Sequence, residues 1–275
     1  MTVDGVEVPP FLYGTAWKEQ ATEGLVRQAL AAGFRGIDTA NQRKHYHEAG
    51  VGAGIRDFLA EHGRDALFLQ TKFTFRPGQD ERLPYDPAAP VAEQVRQSFA
   101  SSLEHLGVAH LDSLVLHGPS QREGLGPDDL EAWQAMEALH DAGQVRLLGV
   151  SNVSAAQLEA LWAQARVKPR FVQSRCFAVR GWNADIRAVC RERGIVCQGF
   201  SLLTANRDVW GHPVTSEVAA AHGMVPAQLI FALALRLGML PLTGSSDPEH
   251  LALDLAELAL EVPDAALERV LALSA

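Results

Sequence analysis

The sequence predicts a closed (β/α)8 barrel, an α/β fold in which eight parallel strands form a ring inside a layer of helices. Short apolar runs alternate with amphipathic helical stretches along all 275 residues, as expected for repeated strand and helix units. No compositional shift or Ser/Gly-rich linker divides the chain, so residues 1–275 are expected to form a single domain. The active site of such a barrel forms where the carboxyl ends of the strands meet the following loops.

Eight apolar runs are the candidate strands. They cover residues 11–15, 36–40, 67–73, 111–117, 145–151, 171–176, 195–201 and 239–245. Helical patterns lie between them. In the segment 91–107, Val91, Val95, Phe99 and Leu103 recur at every fourth position, and Gly107 ends the run as a C-terminal cap would. The segment 128–143 repeats this pattern and also ends at a glycine.

Further segments are predicted outside the eight strand–helix units. The Asp-Gly in TVDGVEV, residues 2–8, predicts a hairpin that closes the bottom of the barrel. An extra helical stretch, 214–223, precedes the helix at 226–238, and a tail helix is expected near 264–273. The run GVGAGI, 50–55, resembles a dinucleotide-binding glycine motif. In a doubly wound sheet, this motif would occupy the first strand-to-helix turn. The run here lies inside a helical pattern and not directly after a strand, which argues against a doubly wound sheet.

Composition narrows the function classes. Lys plus Arg total 24 against 33 Asp plus Glu, a net charge of −9, which opposes broad binding to nucleic acid or to an anionic membrane. The three cysteines have no CxxC spacing, which favours a reducing compartment over a disulfide framework. The amino terminus lacks a signal-peptide pattern, and no apolar stretch reaches the roughly 18 residues of a membrane span. A cytoplasmic protein acting on a small molecule is expected.

Four polar residues stand at or just beyond strand ends. Asp38, Lys72 and His117 each follow an apolar strand, and Tyr46 lies in the loop after the second strand. Taken singly, Asp38 fits a turn or helix cap, Lys72 an edge residue, and His117 a hydrogen-bonded core histidine. Barrel topology would bring all four side chains to one rim, which favours a catalytic set.

The chemistry of this set is coherent. A phenol has an ordinary pKa of about 10, and a nearby ammonium stabilises its phenolate. We therefore expect Lys72, held by Asp38, to make Tyr46 a usable acid. His117 can donate a hydrogen bond to a carbonyl oxygen and orient it. No nucleophile or metal is needed if the electrons arrive as hydride.

The motifs around these residues resemble the aldo-keto reductase family over nearly the whole chain. They are GFRGIDTA with Asp38, TKF with Lys72, LDSLVLHGP with His117, GVSN, VQSRC, GFSLL and PLTGSSDPEHL. The resemblance implies a nicotinamide-dependent carbonyl reductase with Asp38, Tyr46, Lys72 and His117 as its catalytic tetrad and a small carbonyl compound as substrate. It implies that Ser151, Asn152 and Gln173 hold the cofactor carboxamide and that Phe200 stacks on the ring. It also implies that Gly14, Thr15, Ser201 and Leu203 approach the ribose and pyrophosphate.

The tyrosine loop departs from the family pattern. Tyr46 lies eight residues beyond Asp38, where the family has a spacing of five, and the usual tyrosine position aligns with His45. Tyr46 is the predicted acid, because it is the only phenol between Tyr13 and Tyr85. His45 in its place would leave a weak or inactive reductase.

The phosphate end of the cofactor site departs as well. Family members that prefer NADPH place Lys or Arg at the positions of Gly244 and His250, and no Lys or Arg occurs from 237 through 268. Ser245, Ser246 and His250 offer neutral contacts, the Ser246–Pro248 turn is an anion-binding helix start, and Arg207 could reach a phosphate. NADPH is the expected cofactor, with NADH as the alternative.

Two loops, 117–127 and 204–213, are expected to build an open substrate pocket, with Trp17, Trp210 and Phe73 as walls or as packing residues. Two other functions also fit some of these residues. A zinc-dependent hydrolase would use His45, His47 and Glu48 with Asp38 and His117, although two loop histidines are poorly fixed ligands and Lys72 would repel the cation. A nicotinamide-binding barrel without redox turnover, serving as a regulator or a non-redox lyase, is the second alternative.

Overall fold

The computed structural model describes residues 1–274 and begins with a hairpin beneath a barrel. Strands β1 (Thr2–Val3) and β2 (Val6–Glu7) pair antiparallel around Asp4 and Gly5, whose φ values are 46° and 81°. Both residues of the turn are left-handed, as a type I′ turn requires, which explains the Asp-Gly sequence. Val6 packs into one apolar cluster with residues at the starts of barrel strands, including Phe68 and Phe171. The predicted bottom plug is confirmed.

Eight parallel strands form the barrel. They are β3 (Leu12–Gly14), β4 (Gly36–Asp38), β5 (Phe68–Phe73), β6 (Leu111–Leu116), β7 (Val145–Ser151), β8 (Phe171–Arg175), β9 (Val196–Phe200) and β10 (Met239–Thr243). Each pairs with the next in chain order, and β10 closes the ring on β3. The (β/α)8 prediction is confirmed, and all eight carboxyl ends lie at one rim. The runs predicted at 36–40 and 239–245 end two residues early, at Asp38 and Thr243.

Helices surround this ring. They are α1 (Thr22–Ala32), α2 (Glu48–His62), α3 (Val91–Leu106), α4 (Pro127–Asp141), α5 (Ala155–Gln164), α6 (Ala184–Arg193), α7 (Arg207–Trp210), α8 (Pro213–Ala221), α9 (Pro226–Arg236), α10 (Pro248–Ala256) and α11 (Asp264–Leu271). The extra helical stretch, the tail helix and the Gly107 cap, with φ 68°, match the prediction.

The glycine run 50–55 lies inside α2, as expected. A Cβ on Gly52 would lie 2.0 Å from the carbonyl oxygen of His105, so the glycine allows α2 and α3 to pack closely. In the described part of the chain, no single helix is long and apolar enough to cross a bilayer. Only α8 and α9 taken together pass that test, and they are bent by 86°.

Candidate active site

A buried ion pair lies at the centre of the rim. Asp38 ends β4, Lys72 lies near the end of the neighbouring strand β5, and they are 3% and 1% exposed. The Lys72 ammonium donates to both carboxylate oxygens of Asp38, at 2.8 and 2.7 Å, and to the carbonyl oxygen of Thr39 at 2.8 Å. All three of its hydrogens are therefore used. Burial lowers the pKa of Lys72, and the Asp38 carboxylate opposes that shift.

Tyr46 lies beside this pair. Its ring centroid is 5.2 Å from the Lys72 Nζ and 6.0 Å from the centre of the His117 ring. A turn places it there, since the amides of His45 and Tyr46 both donate to the carbonyl of Gln42 at 3.0 Å. His45, which aligns with the usual tyrosine position, also lines the cleft and packs on Trp17, with ring centroids 3.8 Å apart.

The electrostatics of Tyr46 differ from the expectation. Burial raises the pKa of Tyr46 above its ordinary value, and the Asp38 carboxylate raises it further. The expected net lowering of this pKa by Lys72 was wrong for this arrangement, because burial and the Asp38 carboxylate outweigh the Lys72 ammonium, whose three hydrogens are all used on Asp38 and Thr39. Tyr46 is thus a neutral, protonated phenol at physiological pH.

His117 follows β6 and is held from two sides. Its Nδ1 lies 2.7 Å from the Thr74 hydroxyl, and its backbone carbonyl accepts from the Asn152 side-chain amide at 2.7 Å. Burial lowers the pKa of His117 to about 3, and Lys72 and His45 contribute to the shift. The imidazole is neutral, so it carries one proton, and donation by Thr74 to Nδ1 would leave that proton on Nε2.

A cleft of about 860 Å³ opens over these groups. It runs from the Tyr46 loop to the loop after β10, a span that suits a dinucleotide together with a small substrate. The expected site residues that line it are Gly14, Trp17, Asp38, Tyr46, His117, Ser151, Gln173, Phe200, Ser201, Leu203, Gly244, Ser245 and His250. Trp210 lines it as well, and Trp17 is 69% exposed at its edge.

Some expected residues lie behind the cleft wall. Phe73 is 1% exposed and packs on Phe75 and Tyr85, at centroid distances of 5.2 and 5.7 Å. It cannot be a pocket wall, because side chains alternate along a strand and Lys72 takes the inward position of β5. Thr15 is fully buried and donates its hydroxyl to the backbone carbonyl of Asp38 at 3.0 Å.

Three other expected cofactor residues do not line the cleft. The Asn152 side-chain amide is used on the His117 carbonyl, Arg207 begins α7, and the Ser246 carbonyl accepts from Gln28 at 3.3 Å. Of the two loops expected to build the pocket, 204–213 contributes Thr204 and Trp210, whereas 117–127 contributes only His117 to the described lining.

Sequence reasoning missed two charged residues near the far end of the cleft. Asp254 lines the cleft, and Lys18 contacts Gly244, which lines it. The Lys18 ammonium donates to the backbone carbonyl of Gly244, and burial lowers the pKa of Lys18. Asp254 lines the cleft close to His250, and burial raises its pKa to about 6, against the hydrogen bond from Thr243. No Lys or Arg occurs in the sequence from 237 through 268, whereas Lys18 reaches Gly244 from the segment after β3.

The residues considered for zinc binding do not converge. Glu48 accepts hydrogen bonds from Thr71 and Ser102, and the His47 Nδ1 faces the Glu19 carbonyl at 3.2 Å. Among the side chains that the structure describes, no group of three or more His, Cys, Asp or Glu is placed to hold a metal ion.

Comparison with known proteins decides the family. The family model described as "Aldo/keto reductase family" matches residues 12–206. The chain belongs to the aldo/keto reductase family. The protein is thus an oxidoreductase that acts on aldehydes and ketones, as the motifs predicted.

Similar proteins support this aldo/keto reductase assignment. The uncharacterized oxidoreductase YtbE of Bacillus subtilis is 32% identical over 90% of this chain and 82% of its own length. Glycerol 2-dehydrogenase (NADP(+)) of Hypocrea jecorina is 29% identical, over 90% and 83%. The crystal structure of an aldo/keto reductase from Brucella melitensis superposes with a TM-score of 0.82 at 25% identity and covers 98% of this chain and 96% of that one.

Proposed function

We propose that this aldo/keto reductase reduces an aldehyde or ketone to the alcohol with NADPH, and that Tyr46 is its general acid. One observation carries the assignment of residues. The phenol of Tyr46, the Lys72–Asp38 pair and the His117 ring lie together at the wall of one large cleft. Hydride transfer to a carbonyl needs an acid, a nearby charge and a hydrogen-bond donor that orients the carbonyl oxygen. Tyr46, the Lys72–Asp38 pair and His117 supply these three groups.

His117 orients the carbonyl oxygen. Its lowered pKa, about 3, keeps the ring neutral at physiological pH. In this proposal the Thr74 hydroxyl, 2.7 Å from Nδ1, donates to that nitrogen, so the single ring proton is on Nε2 of this cleft-lining residue. A neutral Nε2–H donates to the carbonyl oxygen without protonating it, so the oxygen stays available to Tyr46.

Tyr46 supplies the proton. Because its pKa is raised by burial and by Asp38, it keeps that proton until an alkoxide, a stronger base than phenolate, forms beside it. The Lys72 Nζ, 5.2 Å from the ring centroid, then lies close enough to stabilise the phenolate that is left. Asp38 keeps Lys72 protonated in its buried site and fixes its direction.

The cleft residues fit a nicotinamide dinucleotide, which when bound supplies the hydride. Ser151 and Gln173 would hold the carboxamide with polar groups, and Phe200, which also lines the cleft, would pack on the ring. At the other end, Gly244, Ser245 and His250 line the cleft, and Lys18, which contacts Gly244, adds the positive charge that residues 237–268 lack. Asn152 supports the site from the rim by holding the His117 carbonyl.

NADPH is preferred over NADH in this proposal. The relative named glycerol 2-dehydrogenase (NADP(+)) carries that cofactor in its name, and the Lys18 ammonium contacts Gly244, which lines the end of the cleft proposed to take the phosphates. The three free, buried cysteines suit a reducing compartment, so we propose that the protein acts in the cytoplasm. We also propose that the whole chain works as one barrel domain.

The test combines binding with turnover. Trp17 and Trp210 line the cleft, so titration with NADPH and NADH should quench protein fluorescence, more tightly with NADPH. Addition of small aldehydes and ketones should then oxidise the bound NADPH. Binding without oxidation by any carbonyl compound in the panel would favour the alternative of a barrel that binds dinucleotide without redox turnover. Absence of binding would refute the assignment of the cleft.

A further inference from the structure

Three buried glutamines form a continuous network inside the barrel below Asp38. They are Gln70 on β5, Gln173 on β8 and Gln198 on β9, with exposures of 0%, 3% and 0%. Gln70 and Gln198 pair reciprocally, since Gln70 Nε2 donates to Gln198 Oε1 at 2.8 Å and Gln198 Nε2 donates to Gln70 Oε1 at 3.0 Å. Gln173 Nε2 donates to the same Gln198 Oε1 at 2.9 Å.

The charge of Asp38 gives this network one direction. Asp38 Oδ1 accepts from Gln70 Nε2 at 2.7 Å and from Gln173 Nε2 at 2.9 Å. An ionised carboxylate only accepts hydrogen bonds, so both amides must turn their nitrogens towards it. With the Gln70 nitrogen fixed, Gln198 must present its oxygen to Gln70 and to Gln173. Reversing any one amide would bring two acceptors, or two donors, together in a fully buried site.

The consequence for the cleft concerns Gln173. Both hydrogens of its Nε2 are engaged, one by Asp38 and one by Gln198. Gln173 lines the cleft, so the group that it can offer to a ligand is its carbonyl oxygen. A hydrogen-bond acceptor at this position selects a ligand that carries an N–H, which a carboxamide has and an acetyl group of the same shape lacks.

We propose that Gln70 and Gln198 are positioning residues that, with the charge of Asp38, fix Gln173 as a hydrogen-bond acceptor for the N–H of the nicotinamide carboxamide. The inference rests on the proposed dinucleotide site and adds the polarity of its recognition. Neither Gln70 nor Gln198 lies among the described cleft-lining residues, so they act on a ligand indirectly, Gln198 through Gln173 and Gln70 through Gln198 and Asp38.

The first test uses the unaltered protein and two oxidised ligands, NADP⁺ and its 3-acetylpyridine analogue. The analogue keeps the ring carbonyl and every phosphate but has a methyl group in place of the amide nitrogen. Loss of one hydrogen bond to Gln173 should raise the Kd of the analogue about 3- to 10-fold above that of NADP⁺. Equal affinity for the two ligands would overturn the inference. Absence of binding of either ligand would instead refute the proposed cofactor site.

The second test removes the positioning pair. The double variant Gln70→Met/Gln198→Met deletes both members of the reciprocal pair, so neither amide is left facing a missing partner, and side-chain volume is nearly kept. One hydrogen of Gln173 is then released and can serve the ring carbonyl that both ligands carry. The Kd ratio of analogue to NADP⁺ should fall at least about twofold, towards one.

A matched control is Gln94→Met on α3, outside the barrel strands, which removes a buried glutamine amide that donates to the Ala89 carbonyl. Its Kd ratio should equal that of the unaltered protein. The double variant could instead bind both ligands more weakly by the same factor, so that its Kd ratio stays at the value of the unaltered protein. Gln70 and Gln198 would then serve only barrel stability, and the positioning proposal would be overturned. If the double variant does not fold, the ratio in the unaltered protein still decides the polarity of Gln173.

Discussion

Replacing Lys72 with Met tests the buried ion pair that organises the site. Lys72 is 1% exposed and makes three hydrogen bonds, two of them to Asp38. Its loss leaves a carboxylate in the barrel with amide donors but no counter-charge, and breaking a buried pair in this way costs about 3–5 kcal/mol. With an unfolding entropy of about 2.1 cal/mol/K per residue, a chain of 275 residues should lose roughly 5–9 °C in Tm.

Thermal unfolding by calorimetry or circular dichroism measures this shift. The double variant Asp38→Asn/Lys72→Met removes both charges and should recover most of the lost Tm. Protonation of Asp38 also removes the stranded charge, so the deficit of Lys72→Met should shrink as the pH is lowered. The matched control is Arg236→Met, which breaks an exposed pair with Asp264 and should leave the Tm unchanged. A double variant as unstable as Lys72→Met would refute the argument, because the loss would then come from packing and not from charge.

Three further predictions concern groups around the pair. Thr74→Val removes the hydroxyl that contacts His117 Nδ1 and should lower kcat for carbonyl reduction by about tenfold. Thr74→Ser, which keeps the hydroxyl, should recover the rate. An unchanged kcat in Thr74→Val would show that Thr74 does not set the tautomer. Because the pKa of His117 falls from 6.5 to about 3 on folding, the unfolded chain binds the extra proton, and the free energy of unfolding should decrease as pH falls from about 6.5 to 3. Urea titrations should show a smaller decrease for His117→Gln, and an identical slope would contradict the shift. Lys18→Met should raise the Kd for NADPH about 3- to 10-fold and weaken its salt dependence, whereas an unchanged salt dependence would place Lys18 away from the phosphates.

The fold was predictable because its signal is periodic. Apolar strands and amphipathic helices alternate along the chain, and each of the eight predicted strands occurs in the ring. The convergence of Asp38, Tyr46 and His117 followed from topology, since a parallel barrel puts every carboxyl strand end at one rim. The tyrosine loop was resolved only in three dimensions, where a turn at Gln42 brings Tyr46 to Lys72 while His45 stacks on Trp17.

Other features depend on contacts that no local pattern encodes. Lys18 meets Gly244 across 226 residues of sequence, because β3 and β10 become neighbours only when the barrel closes. Phe73 was misplaced because one step along a strand reverses the face of a side chain. The direction of the Tyr46 pKa shift follows from burial of the phenol and from the nearby Asp38 carboxylate, and sequence reasoning could measure neither.

The rate of hydride transfer in a single turnover of Tyr46→Phe, followed by loss of NADPH absorbance, tests the central claim most directly. No hydrogen bond from the Tyr46 hydroxyl to another described residue holds the fold, so Tyr46→Phe should remain folded and bind NADPH as before. Its transfer rate should fall by about 10²- to 10⁴-fold, while His45→Gln keeps most of the rate. A Tyr46→Phe protein that reduces carbonyl compounds at the full rate, or a His45→Gln protein that does not reduce them, would contradict the account.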